Sequence, residues 1–273
     1  MLTTTIIIPI YKKHEVFIKN LKNNVQFTKT EPYILVNDDP STNLPISDFP
    51  NTNAIGLIQN PQNLGFAKSV NLGVKEANTD LVILLNNDVA LRDESWRTSV
   101  SEFEKDPNLF AVSFAQLEKG GNIVGRNELY FSGGLFHHRA LSFPTLSTNN
   151  SQLTTHISHL LSTSWAEGGS AIFRKSMWDE LGGFDENFSP FYWEDVDLSY
   201  RAKAKGWKVY FESSILVNHE HESTIGAFYE KPIINSVAYK HQLYFTQKHA
   251  SPIQKIFFFL FLLKSKIRSM LGR

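Results

Sequence analysis

"LVILLNNDVAL", residues 81–91, sets five apolar residues directly ahead of Asn86, Asn87 and Asp88. An apolar run without alternation reads as a strand buried on both faces, the kind found in parallel sheets covered by helices. Open sheets of that class bind ligands outside the carboxyl ends of their strands. Asn86, Asn87 and Asp88 therefore stand where a site is expected.

The flanking sequence repeats the pattern. "TTIIIPI" (4–10) precedes a helical stretch near 15–27, and "YILV" (33–36) leads through a Pro- and Asn-rich loop to "AIGLI" (54–58). In "GFAKSVNLGVKEA", Phe66, Val70 and Val74 recur at helical spacing. A further helix runs through Val100 and Phe103, and "LFAVSF" (109–114) ends the series. Alternating strands and helices predict an α/β fold with a mostly parallel sheet flanked by helices. Asn37, Asp38 and Asp39 follow "YILV", so a second acidic cluster falls at the same sheet edge. Either cluster alone is explained by ordinary Asx-turns; two together favour a binding site.

Residues 116–165, with "KGGN", "SGG" and "HHR", read as loops over the sheet edge. Order resumes with "SAIF" as a strand and "KSMWDEL" as a short helix ended by Gly182 and Gly183. "EDVDLSYRAKAKG" has the acidic start and basic finish of a helix, with Gly206 as its stop. Asp197 and Arg201 are four apart and are expected to form a structural ion pair.

Composition narrows the chemistry. The 273 residues are 42% apolar, and Lys plus Arg equal Asp plus Glu at 27 each, so no global field attracts nucleic acid. Absence of cysteine excludes disulfides, thiolate metal sites and a thiol nucleophile, and fits a reducing compartment. No G-x-G-x-x-G follows the first strand and there is no P-loop, so a nucleotide would be held by carboxylates and a metal instead. "MLTTTIIIPIYKK" reads as a first strand rather than a signal peptide or span.

Several segments in order carry a family likeness: "IIIPIYKK", "VNDDPST", "NLGFAKSVNLGVKEA", "LLNNDV", "EGGSAIFRKSMWDELGGFDENF" and "WEDVDLSYR". Together, from about residue 4 to 225, they resemble the family 2 glycosyltransferases, and "LGFAKSVNLG" leans toward rhamnosyltransferase-like members. The resemblance implies a GT-A fold and inverting transfer of a sugar from a nucleotide diphosphate. The acceptor would be a hydroxyl on a glycan or lipid-linked glycan used in cell-surface polysaccharide synthesis. It implies a domain over 1–250, with a nucleotide-sugar half to about 115 and an acceptor half over about 116–250. It further implies donor contacts from Pro9 and Tyr11 as the pocket floor, Asp38 and Asp39 at a uracil or thymine base, Gly65, Lys68 and Asn71 on the pocket helix, and Asn86 and Asn87. Asp88 and His219 would hold a divalent Mn or Mg ion, with His221 the alternate to His219. Asp195 would be the base, and Glu194 would either crowd Asp195, raising its pKa, or orient the acceptor.

Two departures stand out. Pro40 replaces the usual glycine after Asp39, and Asn86 replaces the first acid of the D-x-D motif. A neutral amide oxygen gives the site one negative charge fewer, which puts the strength of metal dependence in question. The rival readings are a nucleotidyltransferase, for which "IYKKH" is a thin phosphate grip, and a non-catalytic nucleotide- or glycan-binding relative.

The tail "SPIQKIFFFLFLLKSKIRSMLGR" (251–273) has an eight-residue apolar run, too short to span a bilayer, with five cations and no acid. A basic amphipathic helix is expected, lying on an anionic membrane surface or buried on the domain or a dimer interface. Cytoplasmic location at the inner face of the cell membrane is the matching expectation.

Overall fold

The computed structural model describes residues 1–28, 30–44, 49–50, 54–142, 160–219 and 224–270. Its centre is a ten-stranded sheet. The first strands are β1 (Thr4–Ile10), β2 (Tyr33–Asn37), β3 (Ile55–Gln59) and β4 (Leu81–Leu85), all parallel, with β1 between β2 and β4. Helices α1 (His14–Phe27) and α2 (Phe66–Glu76) connect them. Strand alternation sorts the side chains onto two faces. Ile6, Ile8, Ile10, Leu81, Ile83 and Leu85 pack with Phe17 and Leu21 of α1. Ile7, Val82 and Leu84 pack with Val70 and Val74 of α2. Runs that look uniformly apolar in sequence are thus buried from both sides.

A short strand β5 (Val89–Leu91), helix α3 (Arg97–Lys105) and strand β6 (Leu109–Glu118) follow. After the small β7 (Ile123–Val124) comes the first departure from the sequence reading. Residues 116–165 are not loops alone: β8 (Asn127–Ser132) and β9 (Leu135–Ala140) form an antiparallel hairpin. Its turn is Gly133–Gly134 at φ 57° and 94°, the conformation two-residue hairpins require. The residues 143–159 of this stretch lie outside the described ones.

The remaining strands add antiparallel pairs to the parallel set. β10 (Leu160–Ser162), β11 (Ser170–Arg174) and β12 (Lys208–His219) complete the sheet, and β11 runs antiparallel between β4 and β6. The expected parallel set is present as β1 to β4, and β11 makes the whole sheet mixed. α4 (Lys175–Leu181) ends at Gly182 in the left-handed region, and α5 (Glu194–Ala204) packs against β12. The expected Asp197–Arg201 pair forms at 2.7 Å, and the same buried carboxylate also meets Lys248 and His249. It thereby ties α5 to α7 (Lys231–His249), which follows the short α6 (Thr224–Phe228). A third apolar cluster, including Phe136, Trp165, Trp193 and Phe245, seats the hairpin and α7 beside the start of α5.

The tail forms the helix α8 (Pro252–Met270). It approaches the hairpin turn, where a β-carbon on Gly134 would lie 2.7 Å from Phe261 Cβ. Only Phe258 is buried; Ile253, Ile256, Phe257, Phe259 and Leu260 are each more than half exposed. Burial of the tail on its own domain is thus not what the structure has. Among the described residues no helix is long and apolar enough to cross a membrane.

Candidate active site

The site begins where β4 ends. Asn86 leaves the strand with its N–H on Gly169 O at 2.9 Å, and Val89 N–H returns to Asn86 O at 3.0 Å, closing a tight turn. β5 then pairs antiparallel with β12, which sets Val89 opposite His219. The outer side of this short segment is held by amides of α1: Asn20 donates to Asn87 O, Asn24 to Val89 O and Asn23 to Leu91 O. These side chains supply the partners an edge strand lacks. Asn87 Nδ2 in turn donates to Lys12 O at 3.2 Å.

That framework brings Asp88 and His219 together, with Oδ1 3.3 Å from Nε2 and both side chains buried. His219 Nδ1 lies 2.5 Å from Gln116 Oε1, and Gln116 Nε2 donates to Ser170 Oγ. The amide so oriented accepts from Nδ1–H and turns Nε2 toward Asp88, the outer-shell arrangement of metal-binding histidines. Ligand atoms roughly 2.0–2.1 Å from an octahedral cation, at right angles, stand about 3 Å apart. The Asp88–His219 spacing fits such an ion. Among the described residues no group of three or more His, Asp or Glu could hold one. The Asn86 side chain lies flat against Gly169, where a β-carbon would come within 2.3 Å of its Nδ2.

Asp38, at the end of β2, is saturated with donors. Oδ1 accepts from Asn60 Nδ2 and Leu64 N–H, both at 2.8 Å, and Oδ2 accepts from Gly65 N–H at 3.0 Å. The carboxylate thereby fixes the loop that opens α2. Gly65 has φ 83°, and a β-carbon on it would meet Ser189 Oγ at 2.6 Å, so only glycine fits. Asp39 sits behind this wall, bound by Ser41 and by Lys12 Nζ at 3.1 Å. Burial pushes its pKa up, but the Ser41 hydroxyl and Lys12 outweigh it and hold Asp39 below the usual carboxylate range.

A second acidic group gathers at the start of α5. Asp195 Oδ2 accepts from Gly168 N–H at 3.1 Å and Oδ1 from Val196 N–H at 2.8 Å. Glu194 is buried, and its Oε2 has no hydrogen-bond partner among the described residues. Glu167 joins them, its Oε1 accepting from Asn127 Nδ2 at 2.5 Å. Among the described residues no cation pairs with any of the three. Burial, then the charge of Asp195, pushes Glu167 up to about 8. The same two causes raise Glu194, and burial raises Asp195 against the pull of its backbone donors. The expectation that Glu194 lifts Asp195 by crowding is replaced by burial as the leading cause.

One cleft of about 270 Å³ joins these groups. Pro9, Tyr11, Asp38, Gly65, Asn86, Asn87, Asp88, Glu194, Asp195 and His219 all line it. Three expected donor residues do not. Asp39 is turned toward Lys12, Lys68 is exposed on α2, and Asn71 is occupied on both sides by the Phe184 backbone at 2.9 Å. Asn71 therefore holds the loop after α4 instead of facing a ligand. His221 lies outside the described residues. Glu167, Tyr192 and Tyr229 also line the cleft and were not expected. Glu167 had a signal: it precedes Gly168 and Gly169, and a β-carbon on Gly168 would lie 3.5 Å from Asp195 Cβ.

A mixed sheet flanked by helices, with carboxylates after β2 and β4 and at the start of α5 around one cleft, has a GT-A-type architecture. Residues 3–232 match the family described as "Glycosyltransferase like family 2", and the chain belongs to that family. It is 26% identical over 224 residues to the pre-mycofactocin glycosyltransferase of Mycobacterium tuberculosis, covering 81% of this chain and 43% of that protein. It is 39% identical over 61 residues to the N-acetylglucosaminyl-diphospho-decaprenol L-rhamnosyltransferase of the same species, covering 22% of this chain and 20% of that protein. The chain spans under half the length of these relatives. Among solved structures, it is similar to GalNAc-T7 with UDP, GalNAc and Mn2+, at TM-score 0.60 and 14% identity over 81% of this chain and 44% of that one. It is also similar to the mannosyltransferase PcManGT of Pyrobaculum calidifontis with GDP-Man and Mn2+, at TM-score 0.53 and 14% identity over 97% and 75%. These likenesses establish the fold.

Proposed function

We propose that the protein is an inverting glycosyltransferase that moves a sugar from a nucleoside diphosphate to a hydroxyl of a glycan acceptor. The observation that carries this reading is the single cleft in which Asp38, the Asp88–His219 pair and Asp195 meet. In it, Asp195 takes the proton of the acceptor hydroxyl as its oxygen attacks the anomeric carbon and the bond to the diphosphate breaks. Burial suits Asp195 to this role, because a carboxylate raised toward the working pH is a stronger base. Glu194 lies beside it and orients the acceptor. Pro9 and Tyr11 line the base pocket, a uracil or thymine site, while Asp38 keeps the loop before α2 in position. Asp88 and His219 would hold a divalent Mn or Mg ion, which supplies positive charge to the leaving diphosphate. The Mn2+ in the GalNAc-T7 and PcManGT structures supports that assignment.

The same reading puts the protein at a membrane surface. α8 carries Lys255, Lys264, Lys266 and Arg268 beside its exposed apolar residues, and no acid. Such a helix lies in an anionic interface, the cytoplasmic face of the cell membrane, where a lipid-linked acceptor for polysaccharide synthesis would be met. A liposome flotation assay with and without residues 252–273 tests it. Binding by the full chain and its loss on truncation are expected; equal flotation overturns the membrane reading.

The enzymatic reading is tested by incubating the chain with UDP- and dTDP-sugars, with and without manganese, and measuring released nucleoside diphosphate. Manganese-stimulated release, lowered by Asp88→Ala, is expected. Nucleotide-induced thermal stabilisation without release across the panel would favour the non-catalytic alternative.

A further inference from the structure

We propose that a second cavity, beside the cleft, is a glycan subsite that takes a remote pyranose unit of the acceptor. The inference rests on the glycosyltransferase reading and extends it to residues that no part of that reading uses. The cavity has a volume of about 310 Å³ and lies between the β8–β9 hairpin and α7. Trp193 forms part of its lining, and the preceding Tyr192 lines the main cleft. Both residues have positive φ, 75° and 79°. Bulky side chains rarely adopt that conformation, and consecutive instances persist where the surroundings hold them for a purpose. Here the double kink puts consecutive residues in the linings of the two cavities, immediately ahead of Glu194 and Asp195. A ligand long enough to touch both would be aligned by one rigid dipeptide.

The lining suits a sugar. Tyr239 on α7 is 45% exposed and makes no ring contact or hydrogen bond among the described residues, so its face is open to stack on the apolar face of a pyranose. Trp193 is nearly buried, held edge-on by His138 at 5.4 Å and against Phe245 at 5.0 Å, and gives a rigid wall. Polar groups surround these rings. Gln242 Nε2 is engaged with Phe136 O and His137 Nδ1, which leaves its Oε1 directed by two contacts and able to accept from a hydroxyl. Asn235 is exposed and makes no hydrogen bond among the described residues. Among the described residues no aspartate, glutamate, lysine or arginine lines the cavity, which argues against a metal, a phosphate or a charged peptide. Aromatic faces ringed by neutral amides match a neutral polyol with one apolar face.

Saturation-transfer NMR on the full chain tests this. The probes are UDP, to fill the main cleft, and neutral di- and trisaccharides of glucose, galactose, N-acetylglucosamine and rhamnose. Contacts from at least one saccharide are expected in the presence of UDP. They should weaken about tenfold in the Tyr239→Ala/Asn235→Ala double variant. Both positions are exposed, so the melting temperature and the UDP signals should not change. Silence from every saccharide with the wild-type chain overturns the subsite, as do contacts that survive the double variant. Loss of the UDP signals alone would undo the donor-site reading and leave the saccharide result standing.

Discussion

Asp38 and Asp39 leave β2 into a ring of donors, whereas Glu167, Glu194 and Asp195 meet at the start of α5 with no cation among the described residues. Asp38 alone accepts three N–H groups, and Asp39 is held below the usual carboxylate range with help from Lys12. The α5 trio is pushed the other way by burial and mutual charge. Both clusters line or border one sheet edge and consist of the same residue types. Environment decides that one is a fixed anchor and the other a group that can gain and lose protons.

The largest effect should come from the trio. Asp195→Asn removes the proposed proton acceptor, and kcat should fall by roughly 10²–10⁴-fold with donor affinity nearly unchanged. Retention of a substantial fraction of wild-type turnover would take Asp195 out of the role of base and remove the functional half of the contrast.

Asp38→Ala attacks the anchor. Its three donors lose a charged acceptor, two of them backbone groups in the loop before α2, so stability should drop by about 2–4 kcal/mol and donor binding should weaken with it. Chemical denaturation and nucleotide titration read both quantities. An unchanged denaturation midpoint would mean that the loop is held by other contacts.

The pH response separates the clusters further. Glu167 is raised to about 8 in the fold from an ordinary 4.5, so the native state binds more protons between those values. Its contribution is complete below about pH 4.5 and is lost as pH rises through about 8. Asp39, shifted down, contributes in the opposite sense: its stabilisation is present above its ordinary value and is lost as pH falls through its lowered one. Glu167→Gln should therefore flatten the decline in melting temperature between pH 5 and about 8, by a few degrees for a chain of this size. Parallel wild-type and variant curves over that interval would sink the assignment.

Lys12→Ala should do least. The Lys12 side chain is 32% exposed, and loss of its pair with Asp39 should cost under about 1 kcal/mol, since Ser41 remains. A larger loss would show that the anchor depends on charge more than on hydrogen bonds.

Much of the donor side was legible because its causes are local. Each of β1, β2 and β4 contains an apolar run, 6–10, 33–36 and 81–85, and Asn37 to Asp39 and Asn86 to Asp88 directly follow two of those runs. The hairpin at 127–140 is not legible although Gly133–Gly134 is a recognised turn signal, because its strands mix apolar and polar residues without apolar alternation. Lys68 and Asn71 were assigned to the cleft by their helix. The helix was right, but a helix has several faces, and these two residues lie on others.

By itself, the sequence determined the family, the parallel core of the sheet and the strand ends that carry Asp38 and Asp88. The family follows from the resemblance of several ordered motifs, and the strands from apolar runs within short windows, where burial on two faces demands them. Tertiary structure alone decided that β11 runs antiparallel in the middle of the sheet, because an apolar strand carries no mark of its direction. It alone set Asp88 against His219, through the pairing of β5 with β12, and brought Glu167 within reach of the Asp195 charge, beside the Gly168 N–H that donates to Asp195. Charge, proton affinity and metal-ligand spacing depend on distances between residues far apart in the chain, and only the folded sheet specifies those distances.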